Sequence, residues 1–162
     1  MFSRNSLFFS SLSLFVIVSL FFSCANNNVK APSNTLVSEG FENPIGFYDE
    51  SPSFSWQLPA KASSLTQTAY QIVVASSAKK LPANADIWDS QKQISVQSTW
   101  VPYGGTSLTS GQRVFWQVRY WNQAGNVSDW SEVNTIEMGL LKNSDWKGDW
   151  IGLDTAKDSI RG

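Results

Sequence analysis

Three pairs of carboxylates lie close enough along the chain to act together as a general acid and a general base. The pairs are Asp86 with Asp89, Asp129 with Glu132, and Asp145 with Asp149. Acid–base catalysis would need such groups to face a bound substrate at hydrogen-bond distance. All of them fall in predicted loops, where Asp commonly serves as a turn residue. We therefore expect turn and surface carboxylates, and we predict no catalytic residue in this chain.

The composition excludes several other kinds of chemistry. The chain contains no histidine, which removes Ser-His-Asp and Cys-His nucleophiles and every histidine-containing zinc site. The formal net charge is −1, so the basic excess typical of a nucleic-acid-binding protein is missing. We expect no metal, no cofactor and no nucleic-acid partner.

The single cysteine, Cys24, closes an apolar run from Leu7 to Phe22 that follows the charge of Arg4. Secretory signals have an apolar core of about 7–15 residues, whereas a membrane-spanning helix needs about 20. Serines interrupt this run, and its end, residues 20–24, resembles a bacterial lipobox, in which a small residue precedes a lipidated cysteine. The resemblance implies cleavage before Cys24 and lipidation of its thiol. A plain membrane-anchor helix with an incidental cysteine is the alternative.

Lipidation of Cys24 would place the remaining chain outside the cytoplasm, held to the cell envelope by membrane lipid. Residues 1–23 are then a lipoprotein signal peptide, and residues 24–35, which are polar and contain Pro32, form a flexible tether. No acidic cluster follows the cysteine, which favours the periplasmic side over the cell surface.

Residues 36–140 consist of short strand-like runs separated by turn residues. The predicted strands are Leu36-Val37, Phe54 to Leu58, Tyr70 to Val74, Ile87-Trp88, Val96 to Val101, Arg113 to Asn122, and Asn134 to Met138. Apolar and polar residues alternate in the longer of these, as in strands with one buried face. The pattern predicts an all-β fold, a seven-stranded antiparallel sandwich of immunoglobulin or fibronectin type III-like architecture. Its predicted core comprises Phe54, Trp56, Tyr70, Ile72, Val74, Trp116, Val118 and Ile136.

Leu108 to Arg119 resembles the corner between strands E and F of fibronectin type III domains. That family has a tyrosine three residues after a glycine, whose hydroxyl bonds back across the corner. Here Val114 stands three residues after Gly111. The corner hydrogen bond is therefore not expected, and packing must hold this turn.

A second resemblance, over roughly Leu36 to Gly152, is to the start of bacterial α-L-rhamnosidases. It is carried by short segments in matching order: residues 42–46, 52–56, 67–77, 87–90, 110–113, 130–132, 137–141 and 145–152. The family consists of multidomain inverting glycoside hydrolases, whose catalytic carboxylates lie in a downstream helical barrel. The resemblance implies a non-catalytic N-terminal module that spaces or docks the rest of the enzyme. It also implies that residues 141–162 are a linker and the truncated start of a following β domain, and that the downstream domains are its partners.

The outer face of the longest predicted strand carries a candidate binding surface. Phe115, Arg119 and Trp121 should share this face, with Trp130 close by from the following turn. Three interpretations are open: a docking surface for the downstream domains, an internal cation–π ladder through Arg119, or a platform that stacks on a plant polysaccharide or rhamnoside. The last would make the chain an autonomous carbohydrate-binding lipoprotein.

Overall fold

The computed structural model describes residues 29–59 and 66–149. The predicted signal peptide, Cys24 and residues 150–162 lie outside the described residues. Within them the chain forms nine short strands and no α-helix. The strands are β1 Ser33–Val37, β2 Ile45–Phe47, β3 Ser53–Gln57, β4 Gln67–Ala75, β5 Trp88–Asp89, β6 Gln93–Ile94, β7 Val101–Pro102, β8 Arg113–Asn122 and β9 Asn134–Met138.

The strands form two sheets. The smaller sheet has the order β1-β3-β7, and the larger has the order β2-β9-β8-β4-β5, with β6 also paired to β4. All pairs are antiparallel except β2 with β9. The predicted all-β sandwich is confirmed.

The centre of the larger sheet is the long pair β4–β8. Its register places Ile72 opposite Val118 and Val74 opposite Trp116. Because side chains alternate across a strand, these apolar pairs share one face, and that face packs against the smaller sheet. Phe54 of β3 contributes directly, since its ring centroid lies 4.5 Å from that of Trp116.

Seven of the eight predicted core residues are buried, and Tyr70 is half-buried. Tyr70 lies at the margin of the core, where its ring meets Trp56 edge-on at 5.3 Å between centroids. Val114, at the place of the corner tyrosine, is fully buried and lies opposite Ile136 of β9. The prediction that packing alone holds this turn is wrong, because the Thr109 amide and hydroxyl donate to the side-chain oxygen of Gln112, at 2.9 and 3.1 Å.

The prediction of one strand from Val96 to Val101 is wrong. Only its last residue belongs to a strand, β7. The chain here crosses from the larger to the smaller sheet, with one backbone hydrogen bond of 2.9 Å from the Trp56 amide to the Ser98 carbonyl, and side chains bind its backbone elsewhere in place of a continuous ladder. The side-chain nitrogen of Gln67 donates to the backbone carbonyls of Ser95, at 3.2 Å, and Gln97, at 2.7 Å. Trp100 then adopts a positive φ of 55°, which ends any extended conformation before β7.

The folded part begins earlier than the predicted boundary at Leu36. Val29 is buried and forms a parallel bridge with Ser128, and its carbonyl accepts a hydrogen bond of 3.0 Å from the Asp129 amide. β1 starts at Ser33. Residues 29–35 of the predicted tether are therefore fixed to the domain, and residues 24–28 lie outside the described residues.

Candidate functional site

Asp86 and Asp89 each stabilise a loop through hydrogen bonds. Asp86 accepts from the amide and hydroxyl of Ser76, at 2.9 and 2.7 Å, and pairs with Lys80. These donors hold the pKa of Asp86 well below its usual range, with the Lys80 contact as the largest cause. Asp89 accepts from the Gln71 side chain and from the Gln91 amide, both at 2.8 Å.

Asp145 has a pKa that is shifted in the direction opposite to that of a catalytic acid. The hydroxyl of Ser110 donates to Asp145 and lowers its pKa, and the Lys142 amide adds a bond of 3.2 Å. A glycosidase general acid instead needs a raised pKa, so that it is protonated at working pH. Asp145 lines a groove with Glu50, and its predicted partner Asp149 is exposed at the end of the described chain.

Asp129 and Glu132 are exposed residues in the segment between the hairpin turn and β9. Their backbone carbonyls accept hydrogen bonds from the hydroxyls of Ser128 and Ser131, at 2.8 and 2.9 Å. Glu132 lines a shallow groove together with Glu42 and residues 31–35. The geometry assigns both carboxylates to the surface of the segment that runs beside β8 before β9 begins.

Residues 29–59 and 66–149 contain no cluster of three or more His, Cys, Asp or Glu side chains that could bind a metal. The same ranges contain no helix that is both long and apolar enough to cross a bilayer.

The predicted face on β8 brings three of its four residues together. The guanidinium carbon of Arg119 lies 5.0 Å from the ring centroid of Trp121 and 4.5 Å from that of Trp130. We call this stack the Arg119 ladder. Phe115 lies on the same face, four residues before Arg119, but its strand neighbours are Ala75 and Thr135.

Hydrogen bonds to Gln71 hold the Arg119 guanidinium in position beside the two indole rings. Its guanidinium nitrogens donate to the side-chain oxygen of Gln71, at 3.0 and 2.7 Å, and the side-chain nitrogen of Gln71 in turn donates to Asp89 at 2.8 Å. Partial burial lowers the pKa of Arg119, and the nearby charge of Asp89 opposes this shift. A guanidinium keeps its charge under these conditions. It therefore stays available for both indole rings.

Trp130 is positioned by two serines that continue the pairing with β8 in the segment before β9 begins. The Tyr120 amide donates to the Ser128 hydroxyl at 3.1 Å, and the Ser128 amide donates to the Tyr120 carbonyl at 2.9 Å. Ser131 exchanges the same two bonds with Val118, at 3.1 and 2.8 Å. The two residues between these serines therefore lie beside β8, and the Trp130 ring contacts Arg119.

Sequence reasoning missed the neighbours of the ladder. Lys92 places its ammonium 4.7 Å from the Trp121 centroid, from the loop between β5 and β6. Gln71 follows from strand register, since it lies directly opposite Arg119. For Lys92 the sequence offers no periodic signal, because its position depends on how the loop folds.

A comparison with protein families decides what kind of domain this is. Residues 33–142 match the model of the "Rha78A-like, N-terminal immunoglobulin domain". The chain belongs to this family. The match spans almost the whole folded part, from β1 to the turn that follows β9.

The curated relatives that match this chain are α-L-rhamnosidases. It is 53% identical over 152 residues to an α-L-rhamnosidase of Formosa agariphila and 43% identical over 152 residues to one of Alteromonas sp.. These alignments cover 93% and 90% of the chain but only 16% of each relative. The chain therefore corresponds to one small part of much longer proteins.

A solved structure shows the same fold. The α-L-rhamnosidase of Streptomyces avermitilis, crystallised with L-rhamnose, matches with a TM-score of 0.73 and 36% identity. The similarity covers 78% of this chain and 12% of that protein. The sequence resemblance to the start of α-L-rhamnosidases is confirmed.

Proposed function

We propose that this chain is the non-catalytic N-terminal β-sandwich module of an exported α-L-rhamnosidase-like glycoside hydrolase, in which it spaces and braces the catalytic part. The observation that carries the proposal is the family match over residues 33–142, in relatives of which the chain covers 16%. The lowered pKa values of Asp86 and Asp145 support a module without acid–base chemistry of its own.

The positions at which the chain enters and leaves the sandwich support a spacer. Val29 binds beside Tyr120 and Ser128, near the end of β8, whereas residues 139–141 bind beside Ser110 and Gly111, just before β8 begins. At about 3.4 Å per residue, Gly111 and Tyr120 are roughly 30 Å apart along the strand. A module with its two connections at opposite ends separates whatever lies before it from whatever lies after it.

A deletion and replacement experiment tests the proposal. The matched region of the Formosa agariphila enzyme is deleted in one variant and replaced by residues 29–149 of this chain in another. We expect the deletion to lower the midpoint of thermal unfolding and the replacement to restore it, with kcat on an aryl α-L-rhamnoside unchanged by the replacement. An unchanged midpoint on deletion would contradict the bracing role. Hydrolysis of the same substrate by the isolated 162-residue chain would contradict the non-catalytic assignment.

Carbohydrate binding at the Arg119 ladder is the less favoured function. A sugar stacks on a free aromatic face, but Arg119 and Lys92 already approach the Trp121 ring at 5.0 and 4.7 Å. Affinity-gel retardation by plant polysaccharides, with Trp121→Ala as the control, tests this alternative. Retardation that this substitution abolishes would favour it.

A further inference from the structure

The segment that follows β9 folds back onto the domain. The Leu141 amide donates to the Ser110 hydroxyl at 2.9 Å, and that hydroxyl donates to the Asp145 carboxylate. The Lys142 amide donates to the same carboxylate at 3.2 Å. We call this set of contacts, made by Ser110, Leu141, Lys142 and Asp145, the exit latch. It joins the turn before β8 to the 3₁₀ turn Asn143–Asp145.

Backbone contacts fix the chain just before the exit latch. The Gly139 amide donates to the Phe47 carbonyl at 2.8 Å, and its carbonyl accepts from the Gly111 amide at 3.1 Å. A Cβ atom at Gly139 would lie 2.9 Å from the Gly46 carbonyl oxygen, so this close approach requires glycine. Residues 139–145 therefore leave the sandwich in one fixed direction.

The exit latch supports an exposed apolar surface that continues into shallow grooves. Three grooves, of about 410, 480 and 460 Å³, share Leu141 and Lys142. Leu140 and Trp146 line the first, and Tyr48 lines the third. These three side chains are 54%, 54% and 60% exposed. We call the surface formed by Tyr48, Leu140, Leu141, Lys142 and Trp146 the exit face.

The exit face also brings together segments that are far apart in the sequence. The hydrogen bonds described above join Ser110 and Gly111 to residues 139–141 and to Asp145, and they join Phe47 to Gly139, all around the point where the chain leaves the sandwich. The Arg119 ladder differs, because its rings are already covered by side chains of the same domain.

We propose that the exit face is the docking surface for the domain that follows residue 149 in a full-length enzyme, and that the exit latch holds this surface in shape before docking. The inference rests on the proposed function. The occupant follows from chain continuity, since each residue after 149 adds at most about 3.6 Å of reach. A domain that starts within a few residues of Asp149 must lie beside Trp146. The expected partner surface is apolar at its centre, with polar groups at the rim near Lys142.

Hydroxyl-radical footprinting tests this proposal with a matched control in the same chain. Trp146 and Trp100 are 54% and 58% exposed, so they should oxidise at similar rates in the 162-residue chain. In the replacement enzyme described above, we expect oxidation of Trp146 to slow at least about threefold, because a ring in an interface core loses solvent access. Oxidation of Trp100 should not change.

Two results would overturn the proposal. One is unchanged oxidation of Trp146 together with protection of Trp121 and Trp130, which would place docking on the Arg119 ladder. The other is unchanged oxidation at all of these tryptophans. If the replacement still restores the unfolding midpoint, only the docking surface is wrong; if it does not, the proposed function itself fails.

The exit latch is tested in the 162-residue chain by amide hydrogen exchange. Ser110→Ala should speed exchange at the amides of Leu141 and Lys142, because it removes the acceptor of the first and releases the carboxylate that binds the second. Ser107→Ala, at an exposed serine that lines the same groove, is the matched control. Equal exchange in both variants would show that the latch does not order this segment.

Discussion

At the scale of single residues, Gln67 connects the two sheets. Its side chain is 2% exposed and accepts a 3.0 Å hydrogen bond from the Trp56 indole. It also donates to the carbonyls of Ser95 and Gln97. We predict that Gln67→Leu lowers the free energy of unfolding by about 2–3 kcal/mol, because a buried polar group left unpaired costs about 1–3 kcal/mol. Urea denaturation followed by tryptophan fluorescence measures this loss.

Gln57→Leu provides the control for this prediction. Gln57 is exposed and bonds the Asn34 side chain at 2.7 Å at the surface. Surface substitutions of this kind usually change stability by less than about 0.5 kcal/mol. Equal losses in the two variants would show that the buried network of Gln67 adds nothing.

A second residue-scale prediction concerns Gly105. A Cβ atom at this position would overlap the ring and hydroxyl of Tyr103, whose hydroxyl donates to the Thr106 carbonyl at 3.0 Å. We expect Gly105→Ala to lower the midpoint of urea unfolding by displacing this buried ring. Gly104→Ala is a milder neighbour, because its Cβ would meet the Trp88 ring at 3.1 Å. A larger loss at Gly104 than at Gly105 would contradict this account.

At the scale of elements, the Arg119 ladder joins β8 to the segment before β9 that contains Trp130. We predict that Arg119→Met lowers the free energy of unfolding by about 1–2 kcal/mol, since each exposed cation–π contact contributes about 0.5–1 kcal/mol and two rings are involved. Methionine keeps an apolar stem of similar length, which limits the loss to the charge and its hydrogen bonds to Gln71.

Arg113→Met is the matched control, on the same strand. Arg113 pairs with Glu137 across β8 and β9, and its side chain is 60% exposed. Such a surface ion pair contributes about 0–1 kcal/mol and weakens with added salt. If the two variants lose the same stability with the same salt dependence, the ladder acts as an ordinary surface ion pair.

The loops that contain Asp86 and Asp145 should weaken in acid. Hydrogen bonds lower the pKa of both groups in the folded state, chiefly through Lys80 for the first and Ser110 for the second. The unfolded chain therefore binds more protons, so their stabilisation is complete above the unfolded pKa, at about pH 4, and is lost as pH falls through the folded values. We expect urea midpoints to fall from pH 5 to pH 2, less steeply in Asp86→Asn. An identical slope in this variant would contradict the assignment.

The elements that the sequence predicted well are those with regular alternation. β8 and β9 have the predicted bounds, Arg113–Asn122 and Asn134–Met138, because apolar side chains recur at every second position, from Val114 to Tyr120 in β8 and at Ile136 and Met138 in β9. β2 was missed, since it has three residues and Ile45 is 83% exposed. The sequence predicts a strand from Val96 to Val101 because valine and tryptophan are common in buried strands. Here the side chains of Val96 and Trp100 are 70% and 58% exposed. What holds that segment is Gln67, and a glutamine gives no signal of burial in a sequence.

The same distinction applies to the candidate site. Period-two alternation on β8 predicted that Arg119 and Trp121 share a face, and the structure places them in contact. The sequence does not identify the two serines that position Trp130, because their hydroxyls accept hydrogen bonds from β8 and such bonds leave no periodic pattern in the sequence. Likewise the exit latch joins Ser110 to Asp145, 35 residues apart, and contacts between such distant loops depend on the whole fold.

At the scale of the whole molecule, the position of Val29 limits how far the sandwich can lie from a lipid on Cys24. Val29 is buried against the turn that contains Ser128, and five residues span at most about 18 Å. We propose that lipidation of Cys24 anchors this end close to the membrane, while the exit face, at the opposite end of β8, points the following domain away from it.

Expression in a bacterium with labelled palmitate tests the anchor. Cys24→Ser should abolish labelling and block cleavage before residue 24, whereas Ser23→Ala, which keeps a small residue before the cysteine, should preserve both labelling and cleavage. If Cys24→Ser leaves labelling and processing unchanged, residues 7–22 anchor the chain as a plain apolar helix, and the thiol has no part in its attachment.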